Sequence, residues 1–181
     1  MSSSAELQLL ATNKLGEPGA LPAPGYLWPT DGTPLCPAGA VPILARRTKD
    51  LRAEIEAAAA NHGLCIYVQP PMPTQAELGV PFVFFSGAEL RVSIFEKPPI
   101  NMTGVDAYDL IDAVALALHW QPFEMLSHPL YLARRPVEIE PHPDVRIFHV
   151  VFGAVYALQA AAIGTPEGEA IDVGGDTFIS Q

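Results

Sequence analysis

The sequence predicts an α+β domain: a mainly antiparallel five-stranded sheet with two helices packed on one face, in the order α-β-β-β-α-β-β, carrying an extended N-terminal arm and a C-terminal tail. Three observations predict it. Apolar side chains recur at helical spacing near residues 45–62 and 105–119. Short runs rich in Val, Ile, Phe and Tyr lie between and after them, bounded by Pro and Gly. Pro and Gly also crowd the first 43 residues, with Pro18, Pro22, Pro24, Pro29, Pro34, Pro37 and Pro42 beside five glycines. The boundaries drawn are 1–43 for the arm, 44–160 for the domain and 161–181 for an acidic tail.

The proline density of the arm argues against a long helix and removes donors from any central strand. Its apolar residues, among them Leu21, Tyr26, Leu27 and Trp28, are too many for a solvated linker. These four are the candidates for binding a partner, and the arm is expected to lie on its own domain or on a neighbour. The first helix, from Ala45 to His62, is rich in helix formers and ends before Gly63, a good left-handed terminator. Its basic group, Arg46, Arg47, Lys49 and Arg52, suits a solvated face or a salt bridge between subunits better than a phosphate site, and Arg46 and Arg47 are interface candidates.

Leu64 to Val68 alternates as a short strand stopped by Pro70 and Pro71, and a loop is expected to follow. Val80–Phe85 and Glu89–Glu96 read as a hairpin joined across Ser86 and Gly87. Thr103 followed by Asp106 resembles a capping arrangement for a helix from Val105 to His119. Ala107, Leu110, Ile111, Val114 and Leu118 form its inner stripe, and Asp106, Asp109 and Asp112 an acidic one. Three aspartates spread along one helix diverge and do not group the oxygens that calcium requires, so Asp106 and Asp109 are read as interface candidates. Arg135–Glu140 and Val145–Leu158 form the last two strands around the turn Pro141–Asp144. The final strand is apolar on both faces, so it is either central in the sheet or extended into an interface. Phe148, Val150, Phe152 and Tyr156 are therefore subunit-interface candidates. The tail from Gly164 onward carries Glu167, Glu169, Asp172 and Asp176 with no Lys or Arg, and is expected to move freely or drape over a neighbour.

Lys and Arg number 10 against 20 Asp and Glu, a formal charge of -10, which argues against non-specific nucleic-acid binding. Charged residues are 17% of the chain and hydrophobic ones 49%, too little charge to cover a lone domain unless partners bury part of the surface. No apolar run reaches the length that spans a bilayer, and the first residues lack the pattern of a secretory signal, so a cytoplasmic site of assembly and no membrane partner are expected. Cys36 and Cys65 fit neither a disulfide framework nor a zinc pattern, and Cys65 reads as a buried thiol. Gly174 and Gly175 precede Asp176, not the lysine of a phosphate-binding loop. His62, His119, His128, His142 and His149 show no metal-ligand spacing, and Ser127 beside His128 is a pairing any chain of this size offers. No catalytic residue, metal or cofactor is expected.

The stretches LRAEIEAAAANHGLCIYVQPP and LRVSIFEKPPINMTGVDAYDLIDAVALALHW, followed by a long closing strand, resemble the tail terminator, or minor tail protein U, group of long-tailed bacteriophages and prophages. Arg91 to His119 carries most of the likeness: a strand ending in a glutamate and prolines leads through Asn101 and Thr103 into the second helix. The resemblance covers about Leu51 to Leu158, and the proline-rich arm departs from it. It implies a virion structural protein that forms a six-membered ring, caps the tail tube and joins it to the neck. It supplies no catalytic residues. The implied partners are further copies of the chain, the tail tube protein and the neck or connector proteins, with DNA passing the lumen unbound. An acidic wall would suit that passage. Two other readings stand beside it: another head-to-tail connector or tail-completion protein, and a small cytoplasmic enzyme or ligand-binding module with a site built from distant residues.

Overall fold

A computed structural model of the chain describes residues 3–27, 39–45, 50–78, 83–101, 103–142 and 144–159. The elements are α1 (Ser3–Leu15), β1 (Gly25–Leu27), β2 (Val41–Leu44), α2 (Leu51–His62), β3 (Leu64–Val68), β4 (Met72–Leu78), β5 (Val83–Glu96), α3 (Ala107–Leu118), β6 (Tyr131–His142) and β7 (Val145–Gln159). The class is α+β, as the sequence predicts. Among the described residues the sheet has seven strands in the order β1-β2-β3-β5-β7-β6, with β4 paired to β5 off that path. β1, β2 and β3 run parallel, and every other pairing is antiparallel.

Several details differ from the expectation, each for a local reason. The first proline is Pro18, so residues 3–15 are free to form α1 despite the proline density that follows. Leu7, Ala11 and Leu15 recur every four residues and are fully buried in the main core. The buried Gln8 amide donates to Ala45 O at 2.5 Å and to Val68 O at 2.7 Å, tying α1 to the ends of β2 and β3. Residues 3–27 and 39–45 thus belong to the same core as the rest of the domain, and the N-terminal region adds one helix and two strands to the predicted set.

The helices do not share one face of the sheet. Ile43, Leu64, Ile66, Val68, Leu90, Val92, Ile94, Val150 and Phe152 face α1 and α3 and form the main core with them. Leu44, Cys65 and Tyr67 point the other way and are covered by Ala58 and Ala59 of α2. β3 is buried on both sides for this reason. The small alanines let α2 approach closely, and α1 takes the place beside α3 that the sequence assigned to α2.

β5 is one strand of 14 residues, not a hairpin. It runs unbroken beside β7 from Val83↔Gln159 to Glu96↔Arg146, so Ser86 and Gly87 continue the ladder instead of turning. Its hairpin partner is β4, the segment expected to be a loop. β7 lies between β5 and β6, which places its two-faced apolar run at the centre of the sheet. The N-cap of α3 is Asp106, three residues beyond the predicted Thr103. Its carboxylate accepts from Asp109 N at 2.9 Å, and the Asp109 carboxylate accepts from Asp106 N at 3.3 Å.

Candidate functional site

The stretch that carries the family resemblance is one hydrogen-bonded junction between β5 and α3. The Asn101 amide donates to Glu96 Oε1 at 3.1 Å and to Val105 O at 2.7 Å. Its carbonyl oxygen accepts from Thr103 N at 3.1 Å and from Thr103 Oγ1 at 2.6 Å. Thr103 therefore shapes the loop and leaves the helix cap to Asp106. Glu96, buried at the end of β5, also accepts from Arg146 at 3.1 Å, and Arg146 lies 3.6 Å from Glu138. The Arg146 guanidinium sits 4.9 Å above the Tyr108 ring and 5.3 Å from that of Phe148, adding cation–π contact to the ion pairs.

From this junction α3 presents two unlike faces. Ala107, Leu110, Ile111, Val114 and Leu118 are buried, matching the inner stripe read from the sequence. The outer face carries large apolar groups in water: Tyr108 is 52% exposed and Leu116 81%, and Trp120, just past the helix, is 65% exposed. Trp120 is held at φ 63°, a left-handed conformation uncommon for a side chain of this size. Its backbone N–H donates to Leu130 O at 2.7 Å, and Leu132 N donates to His119 Nδ1 at 3.1 Å, which fixes the turn. Between α3 and the connection from α1 to β1 runs a groove of about 930 Å³. Ala113, Leu116 and Ala117 meet Pro18, Leu21 and Pro22 across it, with Asp109 and Asp112 on one wall and Glu17 and Lys14 on the other. Lys14 is paired with Glu17 at 2.6 Å, leaving the two aspartates to set the sign of the groove.

The sequence-derived candidates fall in several places. Phe148, Val150, Phe152 and Tyr156 are buried in the chain's own core, so they are interior positions and not the subunit boundary expected of them. Their apolar face belongs to a central strand covered by helix. Burial also pushes the Tyr156 hydroxyl up to about 12. Leu21 is likewise core, Tyr26 is half-buried, and Leu27 is exposed at the edge of β1. Asp106 and Asp109 are exposed at the start of α3, where they cap it. Trp28, Arg46, Arg47 and Cys36 lie outside the described residues. Cys65 is the buried thiol the sequence suggested, pushed up to about 12 by burial. Sequence reasoning missed Leu116 and Trp120. The signal for Leu116 was present, an apolar residue set opposite the inner stripe, but alone it reads as a scattered surface leucine.

On the other sheet face, Gln69 Nε2 donates to Ser93 Oγ at 2.7 Å, and Ser93 Oγ lies 3.0 Å from His149 Nδ1. Ser93 is fully buried, so this pair is a strand-to-strand tie closed to a substrate. Burial, and next the Arg91 charge, lower the pKa of His149. Among the described residues no group of three His, Cys, Asp or Glu is placed to hold a metal ion, and no helix is long and apolar enough to cross a membrane.

No protein-family model matches the chain, and no curated protein does. A solved structure described as the virion of a native gene transfer agent particle is similar in fold, with a TM-score of 0.48 and 15% identity, over 87% of this chain and 100% of that one.

Proposed function

We propose that the chain is a structural subunit of a phage or prophage virion, a tail terminator that assembles into a six-membered ring, caps the tail tube and joins it to the neck. The observation that carries this reading is the outer face of α3. Tyr108, Leu116 and Trp120 expose large apolar surface on a chain that has few charges to spare, and such surface is stable in an assembly that buries it. The β5–α3 junction supports the reading in a second way. Glu96, Asn101 and Thr103, residues of the motif that carries the family resemblance, form a single hydrogen-bonded unit and do not merely lie close in sequence. The work of such a subunit is done by surface complementarity with the tube and neck, without bond making or breaking. The net charge of -10 suits a lumen through which DNA slides without adhering.

Electron microscopy of particles containing the chain tests this directly. Six copies in a ring between tube and neck are expected. Twelve copies in a connector, or no association with a particle, would replace the terminator reading by a neck or non-virion one.

A further inference from the structure

We propose that the groove between α3 and the α1–β1 connection is the receiving half of a head-to-tail contact, and that its occupant is the basic segment 46–52 of a second copy of the chain. The inference rests on the ring reading and supplies the contact that would close the ring.

Charge complementarity names the occupant. The groove has an apolar lining of Ala113, Leu116 and Pro22, flanked by Asp109 and Asp112. It therefore suits a ligand with long aliphatic stems and cationic heads: the stems lie on Leu116 and the heads reach the aspartates. The chain has 10 Lys and Arg, and four of them, Arg46, Arg47, Lys49 and Arg52, fall within seven residues. Residues 46–49 lie outside the described residues, but Arg52 marks where the segment ends, in the first turn of α2. The Arg52 side chain is 92% exposed, and it pairs with Glu56 at 2.8 Å on the same helix, a surface pair of little strength.

Geometry decides the kind of contact. α2, which carries Arg52, packs on one face of the sheet and α3 on the other, so Arg52 and the acidic groove sit on opposite sides of the subunit. Complementary patches on opposite sides join copies head to tail, and such heterologous contacts close into rings when the rotation allows.

The test uses the full chain. Arg52→Glu, Asp112→Lys and Leu116→Asp all change exposed side chains and should leave the melting temperature nearly unchanged. Each should weaken self-association, followed by sedimentation velocity, about tenfold or more, and Arg52→Glu combined with Asp112→Lys should recover most of the loss. In a Cys36→Ser background, Arg52→Cys with Asp112→Cys should give on oxidation a ladder of cross-linked copies, trapping even a weak contact. A ladder and a charge-swap rescue support the inference. Absence of cross-linked species at high concentration, or association unaffected by Leu116→Asp and Asp112→Lys, overturns it. The copy count by microscopy is independent of these variants, so a ring built through another surface would be told apart from no ring at all.

Discussion

Gly63 lies against the main chain of Asn101: a Cβ on Gly63 would stand 2.2 Å from Asn101 Cα and 2.4 Å from Asn101 N. The same glycine, at φ 76°, ends α2 by donating to Ala59 O at 2.9 Å, and its carbonyl accepts from Lys97 N at 2.7 Å. It joins the end of α2 to the β5–α3 junction. Gly63→Ala is expected to cost about 2–4 kcal/mol, combining a left-handed conformation that disfavours L side chains with overpacking against backbone that cannot swing away. Urea unfolding of Gly63→Ala and Gly63→Asn separates the two causes. Asn tolerates the φ but not the contact, so Asn should be nearly as costly as Ala, and a near-native Gly63→Asn would show that the contact matters little.

Gly153 of β7 lies under the ring of Tyr131 on β6, and a Cβ there would come within 2.3 Å of Tyr131 Cζ. Here the neighbour is a side chain, half in solvent, and it can move. Gly153→Ala should cost about 1–3 kcal/mol. In a Tyr131→Ala background the same change should cost less, with a coupling of about 0.5–3 kcal/mol in a double-mutant cycle. Additive effects of the two substitutions would contradict the contact.

Glu96 is the buried carboxylate on which Asn101 and Arg146 converge. Glu96→Ala leaves the Asn101 amide with Val105 O alone and removes an ion partner from Arg146. A loss of about 1–3 kcal/mol is expected. Glu96→Gln, which keeps an acceptor for Asn101, should lose less. Thermal unfolding of both variants checks the order, and Glu96→Ala matching the wild type would deny the junction its structural role.

His149 resists protonation in the folded state because burial and the Arg91 charge oppose a second cation. Its folded pKa lies below its unfolded one, so between the two the unfolded chain binds more protons and stability rises with pH. The contribution is fully present above the unfolded value of about 6.5 and is lost as pH falls through it toward the folded value. His62, lowered by burial alone, acts with the same sign. Melting temperatures from pH 8 to pH 5 should fall, and His149→Gln should flatten part of that slope. An unchanged slope in His149→Gln would assign the pH dependence elsewhere.

Local patterns determined much of this protein. The inner stripe of α3, the glycine that ends α2, the buried Cys65 and the hairpin of β6 and β7 are written in spacings a few residues long, where side-chain period and backbone sterics act without distant help. What spans the chain was decided only by the tertiary structure. The two apolar faces of β3 do not say which helix covers which, and α2 took the far face because its alanines fit over Leu44, Cys65 and Tyr67. Helix α1 is weakly patterned and gains its place from Leu7, Leu15 and the Gln8 bonds to strands far along the chain. The two-faced run of β7 reads equally as a central strand or an interface. Its pairing between β5 and β6 made Phe148, Val150 and Phe152 interior, while Leu116 and Trp120, on and just past α3, are exposed. Periodicity measures how apolar a face is, whereas what covers that face depends on contacts between residues far apart in the chain.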